Sequence, residues 1–82
     1  MQVILSKRAA KQYGRFSKTE QAKIKKKLVI LETNPFAGKK LSGELAEDRS
    51  LRAWPYRIIY SINKVRQQVE VSSILHRQGA YK

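Results

Sequence analysis

The chain contains no cysteine, one histidine and only six acidic residues. Without cysteine there are no disulfides and no thiolate metal sites, a composition that fits a reducing compartment. His76, the sole histidine, cannot build a zinc site of the usual kinds by itself. The acids form no paired or metal-binding cluster, and Glu47-Asp48 reads as a solvated loop pair. No glycine-rich phosphate loop occurs, and no Ser-His-Asp arrangement follows from the spacing. No metal and no cofactor are therefore expected. The N-terminal apolar run is only Val3-Ile4-Leu5, too short for a signal-peptide core or a membrane span. There is no internal repeat, low-complexity tract or linker. The sequence thus reads as one soluble, cytoplasmic domain over residues 1–82, with no membrane partner.

What the chain does have is positive charge. Eighteen Lys and Arg residues oppose those six acids, a net charge of +12 on 82 residues. Such a surface repels itself and attracts phosphate backbones or acidic proteins. Hydrophobic residues make up 41% of the chain, enough for a globular core. A domain of this size buries about two-thirds of its unfolded surface, so that core is modest.

The pattern along the chain indicates an α+β fold in the order β-α-α-β-β-β. Met1 to Leu5 reads as a short strand. Ser6 is placed to cap a helix to about Tyr13, ended by Gly14. Ser17-Lys18-Thr19-Glu20 matches a capping box. Ile24, Leu28 and Leu31 then form one apolar stripe, and Asn34-Pro35 stops the helix. Its other face carries Lys23, Lys25, Lys26 and Lys27. These lysines are either a solvated face or a dock for phosphates or an acidic partner. Phe36 to Asp48 reads as a loop with Lys39 and Lys40 on its surface. Strand patterns follow from Ser50 to Trp54, Tyr56 to Ile62 and Gln68 to Leu75. In the middle strand Tyr56, Ile58, Tyr60 and Ile62 share one face, and Arg57, Ile59 and Ser61 the other. The expected architecture is an N-terminal helical hairpin packed on one face of a small, largely antiparallel twisted sheet, the other face open.

The chemistry-bearing groups left in the strand half are Arg52, Trp54, Arg57, His76, Arg77 and Tyr81. Arg57 lies within the most apolar strand, "PYRIIY". Its charge must reach solvent or a partner, because an unpaired buried charge costs several kcal/mol or more, roughly. It is either an outward-facing arginine or a guanidinium fixed on a rigid strand and aimed at a phosphate.

Taken in order, "KKLSGELAEDRSLRAWPYRIIYSI" and "VEVSSILHRQGAYK" resemble the RelE/ParE superfamily of toxins from type II toxin–antitoxin pairs. The resemblance covers nearly the whole chain. Its most specific pieces are Leu41-Ser42-Gly43, "LRAWPYRIIY" and the "HR…Y" ending. It implies a ribosome-dependent, metal-independent endoribonuclease that cuts mRNA in the ribosomal A site by 2′-hydroxyl attack. By matching position it implies Arg57 on the scissile phosphate and Arg77 stabilising transition-state charge. Tyr81 would orient the nucleotide, and His76 would act as a general acid or base. Arg52 falls near a lysine that some relatives use; an arginine there titrates too high to be a base and would stabilise charge. Strand pairing is expected to bring the C-terminal ending beside Arg57. Lys23, Lys26, Lys27, Lys39, Lys40 and Arg49 are the cations expected to meet RNA or ribosome. The implied partners are a cognate antitoxin, the ribosome with mRNA, and operator DNA only indirectly through the antitoxin. The alternative within the same superfamily is a ParE-like inhibitor of DNA gyrase without nuclease activity, or a degenerate toxin that keeps only antitoxin binding.

Overall fold

A computed structural model describes residues 1–41 and 48–76. Two helices pack on one face of a five-stranded sheet. In chain order the elements are β1 (Gln2–Leu5), α1 (Lys7–Arg15), α2 (Lys18–Thr33), β2 (Lys39–Lys40), β3 (Asp48–Ala53), β4 (Tyr56–Asn63) and β5 (Gln68–His76). The strand order is β1-β5-β4-β3-β2. β1 runs parallel to β5, and the other neighbours are antiparallel. The expected α+β architecture is therefore the one observed, with one short strand added.

Local sequence sets the helix boundaries. The Ser6 hydroxyl accepts from the Ala9 amide and donates to the Ser72 carbonyl, so one side chain caps α1 and ties it to β5. The Ser17–Glu20 capping box forms in full. α1 does not stop at Gly14. It continues to Arg15 and closes on Phe16, whose amide reaches the Tyr13 carbonyl at 3.2 Å. The extra residues carry Phe16 onto the Tyr56 ring, centroids 4.6 Å apart, and that packing outweighs the helix-breaking tendency of glycine. The loop expected over 36–48 contains β2, in which Lys39 pairs with Ser50 and Lys40 with Arg49. No helix among the described residues is long and apolar enough to cross a membrane.

The core lies between the helices and one face of the sheet. Ile24 and Leu31 of α2 and Ala9 of α1 meet Ile58, Tyr60, Val69 and Val71, all buried. Leu28 packs at the edge of this cluster. Tyr60 is fully buried with its polar end satisfied. Its hydroxyl donates to the Pro35 carbonyl and accepts from the Gly38 amide, both at 2.8 Å. These bonds hold the segment leading into β2 against the sheet. Gly38 must be small here, since an added Cβ would sit 2.5 Å from the Tyr60 oxygen and 2.7 Å from its ring.

The alternation along β5 is broken once. Tyr60 pairs with Val71 and Ile59 with Ser73, so Ser72 is a bulged residue. Its hydroxyl donates to the Ile59 carbonyl at 3.2 Å. Past the bulge the phase flips, and Ile74 joins Val69 and Val71 on the helix-covered face. The Ile74 amide, beyond the end of β1, donates to Gln12 Oε1 of α1 at 2.8 Å.

Gly38→Ala should lower stability by about 1–3 kcal/mol through overpacking. Tyr60→Phe should cost a similar amount, about 1–3 kcal/mol, by stranding a buried amide and carbonyl. Either loss should appear as a fall in Tm of roughly 5–15 °C in a domain this small. A Gly38→Ala protein melting with wild type would contradict the close approach.

Candidate functional site

Pairing of β3 with β4 places Ser50 opposite Ile59 and Arg52 opposite Arg57. Directly opposed residues share a face, and this is the face away from the helices. Lys39 of β2, opposite Ser50, joins them. β2 is only two residues long, and Lys27 of α2 reaches the same place. The result is a cleft of about 400 Å³ lined by Lys27, Ala37, Lys39, Ser50, Leu51, Arg52 and Arg57. Of these seven described lining residues four are cations. Arg57 is half-buried, with Nη1 3.4 Å from the Ser50 hydroxyl. Four positive groups drawn to one place suit a polyanion electrostatically.

A second groove lies round the β3 edge, between α2 and the β3–β4 turn. Lys23, Lys26, Lys27, Ile30, Arg52, Ala53 and Trp54 line it, and it shares Lys27 and Arg52 with the cleft. The other cations expected to meet RNA are placed differently. Lys40 is exposed on β2. Arg49 is committed to structure: Nη1 donates to the Gly38 carbonyl at 3.1 Å, and its guanidinium lies 4.9 Å from the Phe36 ring centre.

The strand pairing does not bring His76 to Arg57. Leu75 opposes Arg57, whereas His76 opposes Tyr56 on the helix-covered face. The His76 and Tyr56 rings meet edge to face with centroids 5.5 Å apart. The bulge at Ser72 is the cause, since unbroken alternation from Val71 would set His76 on the Arg57 side. Arg77 and Tyr81 lie outside the described residues, as does the Ser42-Gly43 part of the leucine–glycine loop.

Tyr56 donates its hydroxyl hydrogen bond to Glu20 Oε2, while Glu20 Oε1 serves the capping box. One carboxylate thus joins the start of α2 to the start of β4, where Tyr56 pairs with His76 of β5. The Tyr56 hydroxyl, followed by the Ser17 groups, holds the Glu20 carboxyl below its ordinary value of 4.5. The same bond, with burial adding to it, pushes the Tyr56 phenol above its ordinary 10.0.

Solved structures of known proteins share this fold. The toxin–antitoxin complex RelBE2 from Mycobacterium tuberculosis is similar at 26% identity and a TM-score of 0.84, over 93% of this chain and 96% of that one. The isolated RelE toxin of E. coli is similar at 28% identity and a TM-score of 0.77, over 92% and 82%. A YoeB/ParE toxin from Agrobacterium tumefaciens shares the fold at 23% identity and a TM-score of 0.80, over 93% and 98%. No curated protein matches by sequence. The family model described as ParE toxin of type II toxin–antitoxin system, parDE, matches residues 3–81. The chain belongs to that family, within the RelE/ParE superfamily.

The Glu20–Tyr56 bond has a signed pH dependence. A lowered Glu20 value stabilises the fold above about pH 4.5, and that contribution is lost as pH falls through the folded value. A raised Tyr56 value stabilises below about pH 10.0 and is lost as pH rises through the folded value. Denaturant midpoints measured across acid pH should fall for the wild type and fall less for Tyr56→Phe, in which Glu20 lacks its main partner. Identical acid limbs would contradict the assignment.

Proposed function

We propose that this toxin is a ribosome-dependent endoribonuclease that cleaves mRNA in the ribosomal A site without a metal ion and so stops translation. The observation that supports it is the cation-lined cleft in which the β3–β4 register sets Arg52 against Arg57. In the reaction the ribose 2′-oxygen attacks the adjacent phosphorus, the bond to the 5′-oxygen breaks, and a cyclic phosphate and a 5′-hydroxyl result. The 2′-proton leaves to a base and the 5′-oxygen gains one from an acid. Negative charge gathers on the phosphorane oxygens between these events. Arg57 and Arg52, with Lys27 and Lys39 beside them, are fixed where that charge develops. Strand-mounted guanidiniums need little reorganisation to do so. Arg77, two residues after Leu75 in the chain, is assigned the same charge-stabilising role. Tyr81 is assigned to orient the nucleotide and share in proton transfer. His76, paired with Tyr56 and not with Arg57, receives no step.

Removing one such donor typically costs about 10²–10³-fold in rate. Ribosomal cleavage of a reporter mRNA should therefore fall by at least ~10²-fold in Arg57→Ala, less in Arg52→Ala, and only a few-fold in His76→Ala, roughly. The second reading is gyrase inhibition. It is favoured by the match to the ParE model and by the turning of His76 away from the cleft. Intact mRNA together with blocked gyrase supercoiling would establish that reading and sink the first.

The partner assigned to the toxin is an antitoxin with an acidic amphipathic helix. Similar toxins from Mycobacterium tuberculosis, E. coli and Pyrococcus horikoshii have been crystallised in antitoxin complexes. α2 offers a second apolar stripe, Ala22, Val29 and Ile30, edged by Lys25 and Lys26. Val29 is 50% exposed and Ile30 40%, an unusual pair for a small basic domain. A second copy of the chain would set lysines against lysines here, whereas an acidic helix would neutralise them. Val29→Lys with Ile30→Lys should weaken antitoxin binding about tenfold or more in calorimetry, with the fold intact. Unchanged affinity would move the antitoxin to another face.

A further inference from the structure

The groove between α2 and the β3–β4 turn is not explained by the chemistry of cleavage. It holds about 460 Å³, within the range of small-molecule sites. Lys23 and Lys26 stand one turn apart on α2, Lys27 follows, and Arg52 closes the far side. Trp54 forms the wall at the turn and is 54% exposed. The Arg52 guanidinium carbon lies 6.0 Å from the centre of its ring. A solvated lysine face needs no large aromatic, and a hydrophobic protein seam would not be lined mainly by cations. Cations flanking an exposed indole are what a single nucleic-acid strand requires, charge for its phosphates and a flat surface for a base. The outer stripe of α2, with three aliphatic residues, is the better surface for a protein helix.

We propose that this groove is a second nucleotide subsite. A base of the bound RNA strand stacks on Trp54, and Lys23, Lys26 and Arg52 hold the flanking phosphates. The inference extends the reading that the cleft holds RNA, because Lys27 and Arg52 line both spaces and make one continuous track around the edge of β3. A strand with its scissile phosphate at Arg57 continues past Arg52 into the groove. Cleft and groove therefore recognise neighbouring nucleotides, one by charge alone and the other by charge and stacking. Stacking is tolerant of base identity, so the subsite adds affinity more than sequence choice.

Trp54 is the only tryptophan, so its fluorescence reports this groove alone. The probe is a short 2′-O-methylated oligoribonucleotide, which cannot be cleaved, with inorganic polyphosphate as a charged control that lacks bases. The oligonucleotide should quench Trp54 saturably, and polyphosphate should compete for binding without comparable quenching. In anisotropy titrations Trp54→Ala should bind the oligonucleotide roughly 10-fold more weakly or worse, with Trp54→Phe restoring part of the loss. Absence of saturable quenching, or wild-type affinity in Trp54→Ala, would overturn the subsite. So would quenching by the antitoxin but not by RNA, which would make the groove a protein surface. The ribosomal cleavage assay separates the two ideas. If Arg57→Ala abolishes cleavage while Trp54→Ala binds and cuts like wild type, the subsite falls and the nuclease stands. If RNA stacks on Trp54 but no mRNA is ever cut, the nuclease falls and the subsite stands.

Discussion

Two arginines facing each other across a strand pair are an unfavourable contact. The register of β3 and β4 nevertheless sets Arg52 opposite Arg57, where like charges directly opposed cost a few tenths to about 1 kcal/mol. The pairing holds because the reverse face of the same ladder is strongly favourable. There Leu51 opposes Ile58, Ala53 opposes Tyr56 and Arg49 opposes Tyr60. Slipping the register by one residue would carry Tyr56, Ile58 and Tyr60 out of the core. One set of hydrogen bonds thus anchors the core on one face and forces cations together on the other. On the reading proposed above, this cationic face is where the RNA backbone lands.

The two helices reinforce this division. α2 covers the apolar face through Ile24 and Leu31 and extends lysines around the sheet edge into the cleft and the groove. At its start Glu20 joins the helix to Tyr56, and Tyr56 meets His76 on the covered face. His76, exposed at the end of β5, touches this junction through the Tyr56 ring. An acidic helix lying on α2 would compete for Lys26 and stand beside the mouth of the groove. Antitoxin binding and loss of RNA access would then be one event.

Much of this arrangement was legible in the residues. The capping box, the Ile24–Leu28–Leu31 stripe and the alternation in "PYRIIYSI" each carry a strong local signal, and each led to the observed element and face. Arg57 on the open face followed from alternation alone. Three features were not legible for physical reasons. β2 is two residues long, too short for any period, and exists because Tyr60 and Arg49 hold its approach. Gly14 sits inside α1 because Phe16 has a tertiary partner in Tyr56, which local propensity does not contain. The bulge in β5 had a signal, the break from Val69 and Val71 to Ile74 across Ser72-Ser73. Strand pairing was expected to bring the C-terminal ending beside Arg57, and the phase change at the bulge sets His76 opposite Tyr56 instead. Ser50 and the shared position of Lys27 in the cleft needed the three-dimensional path of the sheet edge. Trp54 stood out in the sequence as an aromatic among cations, but its groove appears only when α2 lies beside the turn.

The proposed function has RNA gripped on the open face of the sheet, at the paired arginines. It is tested most directly by an experimental structure of the toxin on a ribosome whose A-site mRNA lacks the scissile 2′-hydroxyl. The scissile phosphate should lie within hydrogen-bonding distance of the Arg57 guanidinium, with Arg52 and Lys27 alongside. A phosphate lodged instead on the helix side, against His76 and Tyr56, would contradict it.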